Sequence, residues 1–146
     1  MKLDDGLLRE ILEEHAKNPY NNQKLDSFSC EKEYQSANTG NTCKVQLKIE
    51  NDCIAQISAQ VNGSALAKAC ASIMCGELEG LAISEAQQWV VQIKQWAMGQ
   101  LKDCTWEGDM QVYQSLVHYP ERMDCATLCW RALGLVLAMP NQKEND

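Results

Sequence analysis

Two cysteines one helical turn apart, Cys125 and Cys129 in "YPERMDCATLCWRAL" (119 to 133), are the first residues whose type and spacing allow chemistry. A thiol can ligate a soft metal as its thiolate, carry a sulfur atom as a persulfide, or fill a helix interface as a small apolar group. Residue type leaves all three roles open for Cys125. Six further cysteines stand at 30, 43, 53, 70, 75 and 104. The opening "MKLDDGLLRE" puts acids where a signal peptide needs an apolar run, and "ALGLVLAM" (132 to 139) is far too short to span a bilayer. The expectation is a cytoplasmic protein with no membrane partner. In that reducing compartment its thiols serve as ligands, redox groups or core rather than as disulfides. Thirteen basic against twenty acidic side chains give a net charge of −7, which excludes the broad basic footprint that nucleic acid requires.

The elements that must position these thiols are read from periodicity. Leu3, Leu7, Leu8, Ile11, Leu12 and His15 recur at helical spacing and stop at Asn18-Pro19. His15, on the apolar edge, reads as a half-buried packing residue. A polar loop (20 to 30) and a short strand at "EKEYQS" follow. Cys43, Val45, Leu47 and Ile49 then alternate with polar residues, Asn51-Asp52 turns the chain, and Cys53, Ala55, Ile57, Ala59 and Val61 alternate again. That pattern is a β-hairpin with one buried face, which puts Cys43 and Cys53 in the core. Ser64 is placed to cap a helix of small residues, "ALAKACASIMC", closed by Gly76. Ser84 and Gln87 form a capping-box pattern before the stripe Trp89, Val90, Ile93, Trp96, Ala97 and Leu101. Residues 102 to 120 read as loop. Asp124 is expected to cap the last helix, whose stripe is Leu128, Ala132, Leu135, Val136 and Met139, with Trp130 and Arg131 at its surface or an interface. The positive end of that helix draws negative charge to the Cys125 sulfur and Asp124 opposes it.

Helix, strands, then several helices give an α+β fold: an antiparallel sheet of about three strands with helices on one face. A single domain over 1 to 140 and a disordered tail over 141 to 146 are expected.

These pieces resemble the iron–sulfur cluster scaffold family of IscU, NifU and SufU, with SufU the nearest branch. "HAKNPYNNQKL" (15 to 25) is similar to the family's entrance "DHYKNPRNKGxL", "LKIENDCI" (47 to 54) to its hairpin, and "YPERMDCATLCWRAL" to SufU's "FPARIKCATLAWxAL". The insert at 99 to 118 is also SufU-like. The resemblance implies a site of three cysteines and an aspartate that binds zinc or builds a cluster with sulfur from a cysteine desulfurase. Carried over, the first loop falls on "SANTGN" (36 to 41), where Thr39 replaces cysteine and Asn41 replaces aspartate. The second falls on Gly63-Ser64, where Ser64 replaces cysteine. Cys125 alone is kept, preceded by Asp124 where SufU has lysine and IscU histidine.

One thiolate, two hydroxyls and an amide bind a divalent ion weakly, since hydroxyls stay protonated. The reading that follows is a degenerate family member in which Cys125 accepts sulfur from a cysteine desulfurase or serves another assembly factor. Two alternatives stand beside it. One is a scaffold with relocated ligands, drawn from Cys43, Cys125, Cys129 and Cys70; the other is a regulatory binding protein without chemistry. Cys129, about 5 to 6 Å beyond Cys125, is expected to be shielded.

Overall fold

The structure is a computed structural model that describes residues 3 to 101 and 106 to 139. Cys104, Pro140 and the expected tail at 141 to 146 lie outside the described residues.

Helix α1 (Asp5–Lys17) starts where the Asp4 carboxylate accepts the Leu7 amide at 2.9 Å. Strands β1 (Cys30–Gln35), β2 (Thr42–Glu50) and β3 (Cys53–Asn62) form one antiparallel sheet in that order. Asn51 and Asp52 take φ of 54° and 60°, the left-handed pair that a two-residue hairpin needs. The sheet buries Cys43, Val45, Leu47 and Ile49 against the helices. Its opposite face is covered in part by the polar loop. There the Leu25 amide donates to Gln46 Oε1 at 2.9 Å, and the Ser58 hydroxyl donates to the Gln23 carbonyl at 2.6 Å.

The alternation in β3 fails at its start. The register shifts between Lys48 and Ile49, so that Ile49 faces Ile54 and β3 carries one extra residue. That bulge turns Ile54 into the core in place of Cys53 and Ala55, which are half-buried.

Helix α2 (Ala65–Leu78) is the central element, packed on α1, α5 and β3. Its small residues let three neighbours approach. Ser64 caps it as expected, accepting the Ala67 amide at 3.1 Å. The helix runs through Gly76 rather than stopping there. The chain leaves two residues later, and Gly80 takes the positive φ of 91° that the exit requires.

Helix α3 (Ile83–Ala97) begins one residue before the expected capping box. Glu85, not Gln87, reaches back to accept the Ala82 amide at 3.0 Å, and Ser84 lies in the first turn. The described part of the expected 102–120 loop is also ordered. A 3₁₀ turn (Gly108–Gln111) leads into the short helix α4 (Val112–Leu116), whose Val112, Tyr113 and Leu116 enter the core. Five residues are too few to show a helical period in sequence.

Helix α5 (Met123–Leu137) follows a 3₁₀ turn at Pro120–Arg122. Arg122 occupies the capping position, so Asp124 is the second helical residue and not the cap. Trp130, expected at the surface or an interface, is buried within the domain. Its Nε1–H donates to the Tyr113 hydroxyl at 2.8 Å, which donates in turn to the Ala126 carbonyl at 3.0 Å. Leu135, expected inside, is exposed. His15 is half-buried but bonded. Nδ1 lies 2.7 Å from the Ser72 hydroxyl and Nε2 lies 2.7 Å from Asp109, so the ring ties α1 to α2 and to the turn before α4.

Candidate functional site at the N-terminus of α5

Three segments meet at one end of the domain: the β1–β2 loop (36 to 41), the start of α2, and the first turn of α5. The loop is built around Ser36, which is 2% exposed. Its hydroxyl oxygen accepts the amides of Asn38 and Thr39 at 3.1 and 3.3 Å, a local serine turn. Its O–H donates to Asp124 Oδ2 at 2.7 Å. Thr39 Oγ1 donates to the same carboxylate oxygen at 3.3 Å and accepts the Asn41 amide at 3.1 Å. Gly40, with φ of 78°, lets the loop close, and its amide donates to the Ser36 carbonyl at 2.9 Å.

Asp124 therefore clamps the loop onto α5. Asn41 then reaches the adjacent thiol, its Nδ2–H₂ pointing at Cys125 Sγ over 3.8 Å. From the other side the Ser64 hydroxyl approaches Sγ at 3.3 Å. Gly63 makes room for this arrangement, since a Cβ there would lie 2.5 Å from Asn41 Cγ. Thr39, Asn41, Ser64, Asp124 and Cys125 are thus brought together, with Thr39 bonded to Asp124 rather than to the sulfur. Ser36 and the steric part played by Gly63 were not singled out from sequence. Ser-x-x-Thr spacing in a loop was the signal available for Ser36.

Cys125 is half-buried. Cys43, Cys70 and Cys129 are fully buried and separate from it in character. Burial pushes the Cys43 and Cys70 thiols up to about 12 and raises Cys75 and Cys129 as well. Cys30 is buried and raised for the same reason. Among the described residues no group of three or more His, Cys, Asp or Glu side chains is arranged to hold a metal ion.

The residues around Cys125 do not fit zinc or an iron–sulfur cluster. Such centres take thiolates, imidazoles or carboxylates, and the groups aimed at or beside Sγ are a hydroxyl and a carboxamide. Both are donors toward sulfur. They suit an electron-rich sulfur that accepts hydrogen bonds.

The family model described as the NifU-like N-terminal domain matches residues 8 to 133. The chain belongs to the NifU-like N-terminal domain family. The zinc-dependent sulfurtransferase SufU of Bacillus subtilis (strain 168) is 27% identical over 130 residues, covering 88% of each chain. The iron–sulfur cluster assembly scaffold protein IscU of Streptococcus pyogenes serotype M1 is 24% identical over 128 residues, covering 87% of this chain and 80% of that one. The crystal structure of a putative scaffold protein for the SUF system from Fervidobacterium islandicum AW-1 superposes with a TM-score of 0.80. It is 18% identical and covers 92% of this chain and 99% of that one. The NifU-like fold is therefore shared along nearly the whole chain.

Proposed function

We propose that this protein acts in cytoplasmic iron–sulfur cluster assembly as a single-thiol sulfur acceptor, with Cys125 receiving sulfur from a cysteine desulfurase. The observation that carries this reading is the convergence of the Ser64 hydroxyl and the Asn41 carboxamide on Cys125 Sγ at the first turn of α5. Family membership supplies the pathway. The absence of thiolate partners at Thr39, Asn41 and Ser64 argues against a full scaffold.

The chemistry needs one thiolate and no metal. Cys125 Sγ attacks the outer sulfur of the desulfurase persulfide, a new S–S bond forms, and the desulfurase cysteine leaves as its thiolate. Sulfane sulfur moves and no net oxidation occurs. The Ser64 and Asn41 donors stabilise the anionic sulfur before attack and the persulfide after it. The amides of the first turn of α5 add the favourable end of the helix dipole. Asp124 does not touch the incoming sulfur in this scheme. It is a positioning residue that holds Ser36 and Thr39, and through the loop it holds Asn41.

The test is incubation with a cysteine desulfurase and L-cysteine, followed by trapping and peptide mass spectrometry. Cys125 gains one sulfur, Cys129 gains none, and Cys125→Ser gains none at either position. On the native protein alone, Cys125 alkylates at least about a hundredfold faster than Cys129, which reacts only through opening of the core. No sulfur on Cys125 while the desulfurase turns over would replace this reading with the regulatory one. A stoichiometric zinc ion or cluster on the unmodified protein would replace it with a scaffold of relocated ligands.

A further inference from the structure

We propose that the apolar trough between α3 and α5 is a docking site for an acidic amphipathic helix of a partner protein. The trough holds about 480 Å³. Trp130 and Ile93 form its buried floor. Met98 and Leu135, 59% and 42% exposed, form its lips, and Val91, 54% exposed, continues the apolar surface on α3. Gly134 contributes an absence: a Cβ there would sit 3.5 Å from Val90 Cγ1, so the missing side chain deepens the trough.

Exposed apolar side chains gathered around a concave floor mark a partner site when polar groups rim them. The residue types point the same way. Trp, Tyr, Met and Arg are those enriched at the centres of protein interfaces.

Charge selects the partner. Arg131 lies with its guanidinium carbon 5.9 Å from the Tyr34 ring centroid, on one bank of the trough. Its Nη1 donates to the Tyr34 hydroxyl at 3.2 Å and its Nε donates to the Thr127 hydroxyl at 3.3 Å. These neutral partners fix the plane of the fork and leave its charge uncompensated. Lys94 lies on the α3 bank. Among the described residues neither cation is within ion-pair distance of a carboxylate. Two such cations beside an apolar floor, in a chain of net charge −7, call for carboxylates on either side of an apolar stripe. A helix with Leu, Met or Phe at i, i+3/i+4 and i+7 and acids beside them supplies both. A small apolar acid would reach Arg131 and leave Val91 uncovered.

The test is independent of sulfur transfer. A phage-displayed library of helical peptides, randomised at apolar and charged positions, is selected on the full chain at low salt. Enriched peptides carry Leu, Met or Phe anchors flanked by Asp or Glu. Their affinity falls about tenfold in the exposed-residue variant Arg131→Gln, is also reduced in Lys94→Gln, and is abolished by Gly134→Leu. Cys125 alkylation is unchanged in Arg131→Gln. Selection of no binder, of neutral or basic peptides, or of acidic peptides equally tight on Arg131→Gln overturns the proposal. A concentration-dependent dimer lost in Gly134→Leu also overturns it, because a second copy would then be the occupant.

Discussion

Cys125 and Cys129 lie on one helix, a turn apart, and meet opposite surroundings. Cys125 is half-buried, with a hydroxyl and a carboxamide aimed at its sulfur. Cys129 is 0% exposed, and it sits in the core within electrostatic reach of Cys43, Cys70 and Cys75, where burial raises every one of these thiols. One turn of helix separates a sulfur built to accept hydrogen bonds from a sulfur that acts as a small hydrophobe. Depth and neighbours, not residue type, divide the two roles.

The largest effect expected is at the polar end. Thr39→Cys, Asn41→Asp and Ser64→Cys together replace the donor set with two thiolates and a carboxylate around Cys125. This variant should hold one zinc ion per chain through dialysis, measured by elemental analysis, where the unmodified protein holds none at that position. Structural zinc sites are worth about 10 kcal/mol or more, so a rise in the melting temperature on adding zinc accompanies it. A triple variant that folds and takes no metal would show that the loop cannot bring Thr39 toward the sulfur.

Alkali should attack the other end. Cys43, Cys70, Cys75 and Cys129 keep their protons in the fold to higher pH than in the unfolded chain, where thiols titrate near the ordinary 9.0. Their contribution is complete below pH 9 and is lost as pH rises from 9 toward 12. Each costs about 1.4 kcal/mol per pH unit across that window. Urea melts at pH 8, 9 and 10 check this. Stability independent of pH across 9 to 10 would contradict the burial of this group of thiols.

Gly63→Ala sharpens the contrast from the cleft side. The new Cβ displaces the Asn41 side chain, at a cost of about 1 to 3 kcal/mol, and removes one donor from Cys125. Cys125 alkylation should change while Cys129 stays protected. Smallest is Asp124→Asn, which keeps an acceptor for Ser36 and loses charge assistance, about 1 kcal/mol. Asp124→Ala should lose more, because the buried Ser36 hydroxyl is then left without its acceptor. Equal melting temperatures for the two variants would mean that the clamp does not hold the loop.

Much of this was legible in the residues. Strict alternation and Asn-Asp gave the hairpin, because a two-residue turn needs φ above zero and these two side chains tolerate it. Ser64 was legible as a cap because its hydroxyl serves the Ala67 amide within the same turn. What failed depended on tertiary partners. Ala55 gave no sign that β3 would bulge, which cost Cys53 its core position. Trp130 reads as a surface or interface residue because its buried acceptor, Tyr113, comes from a segment with no helical period. His15 shows only a packing role in sequence, because its partners Ser72 and Asp109 are 57 and 94 residues away. At the site, the positions of Thr39, Asn41, Ser64 and Cys125 came from resemblance, whereas the clamp of Asp124 on Ser36 joins residues 88 apart and has no local signature.

The aromatic residues have an optical consequence. All four tryptophans of the chain, at 89, 96, 106 and 130, belong to one ring cluster with Tyr113. Their centroids lie 5.0 to 6.1 Å apart in contacting pairs. Tryptophan emission, excited to the red of tyrosine absorption, therefore reports a single seam, where α3, α5 and the residues around 106 to 113 meet. The sheet and the thiol at 125 contribute no indole. A sulfur arriving at Cys125 leaves this signal dark, while a helix settling over Trp130 alters it. The same spectrometer thus separates the two ends of α5 without any label.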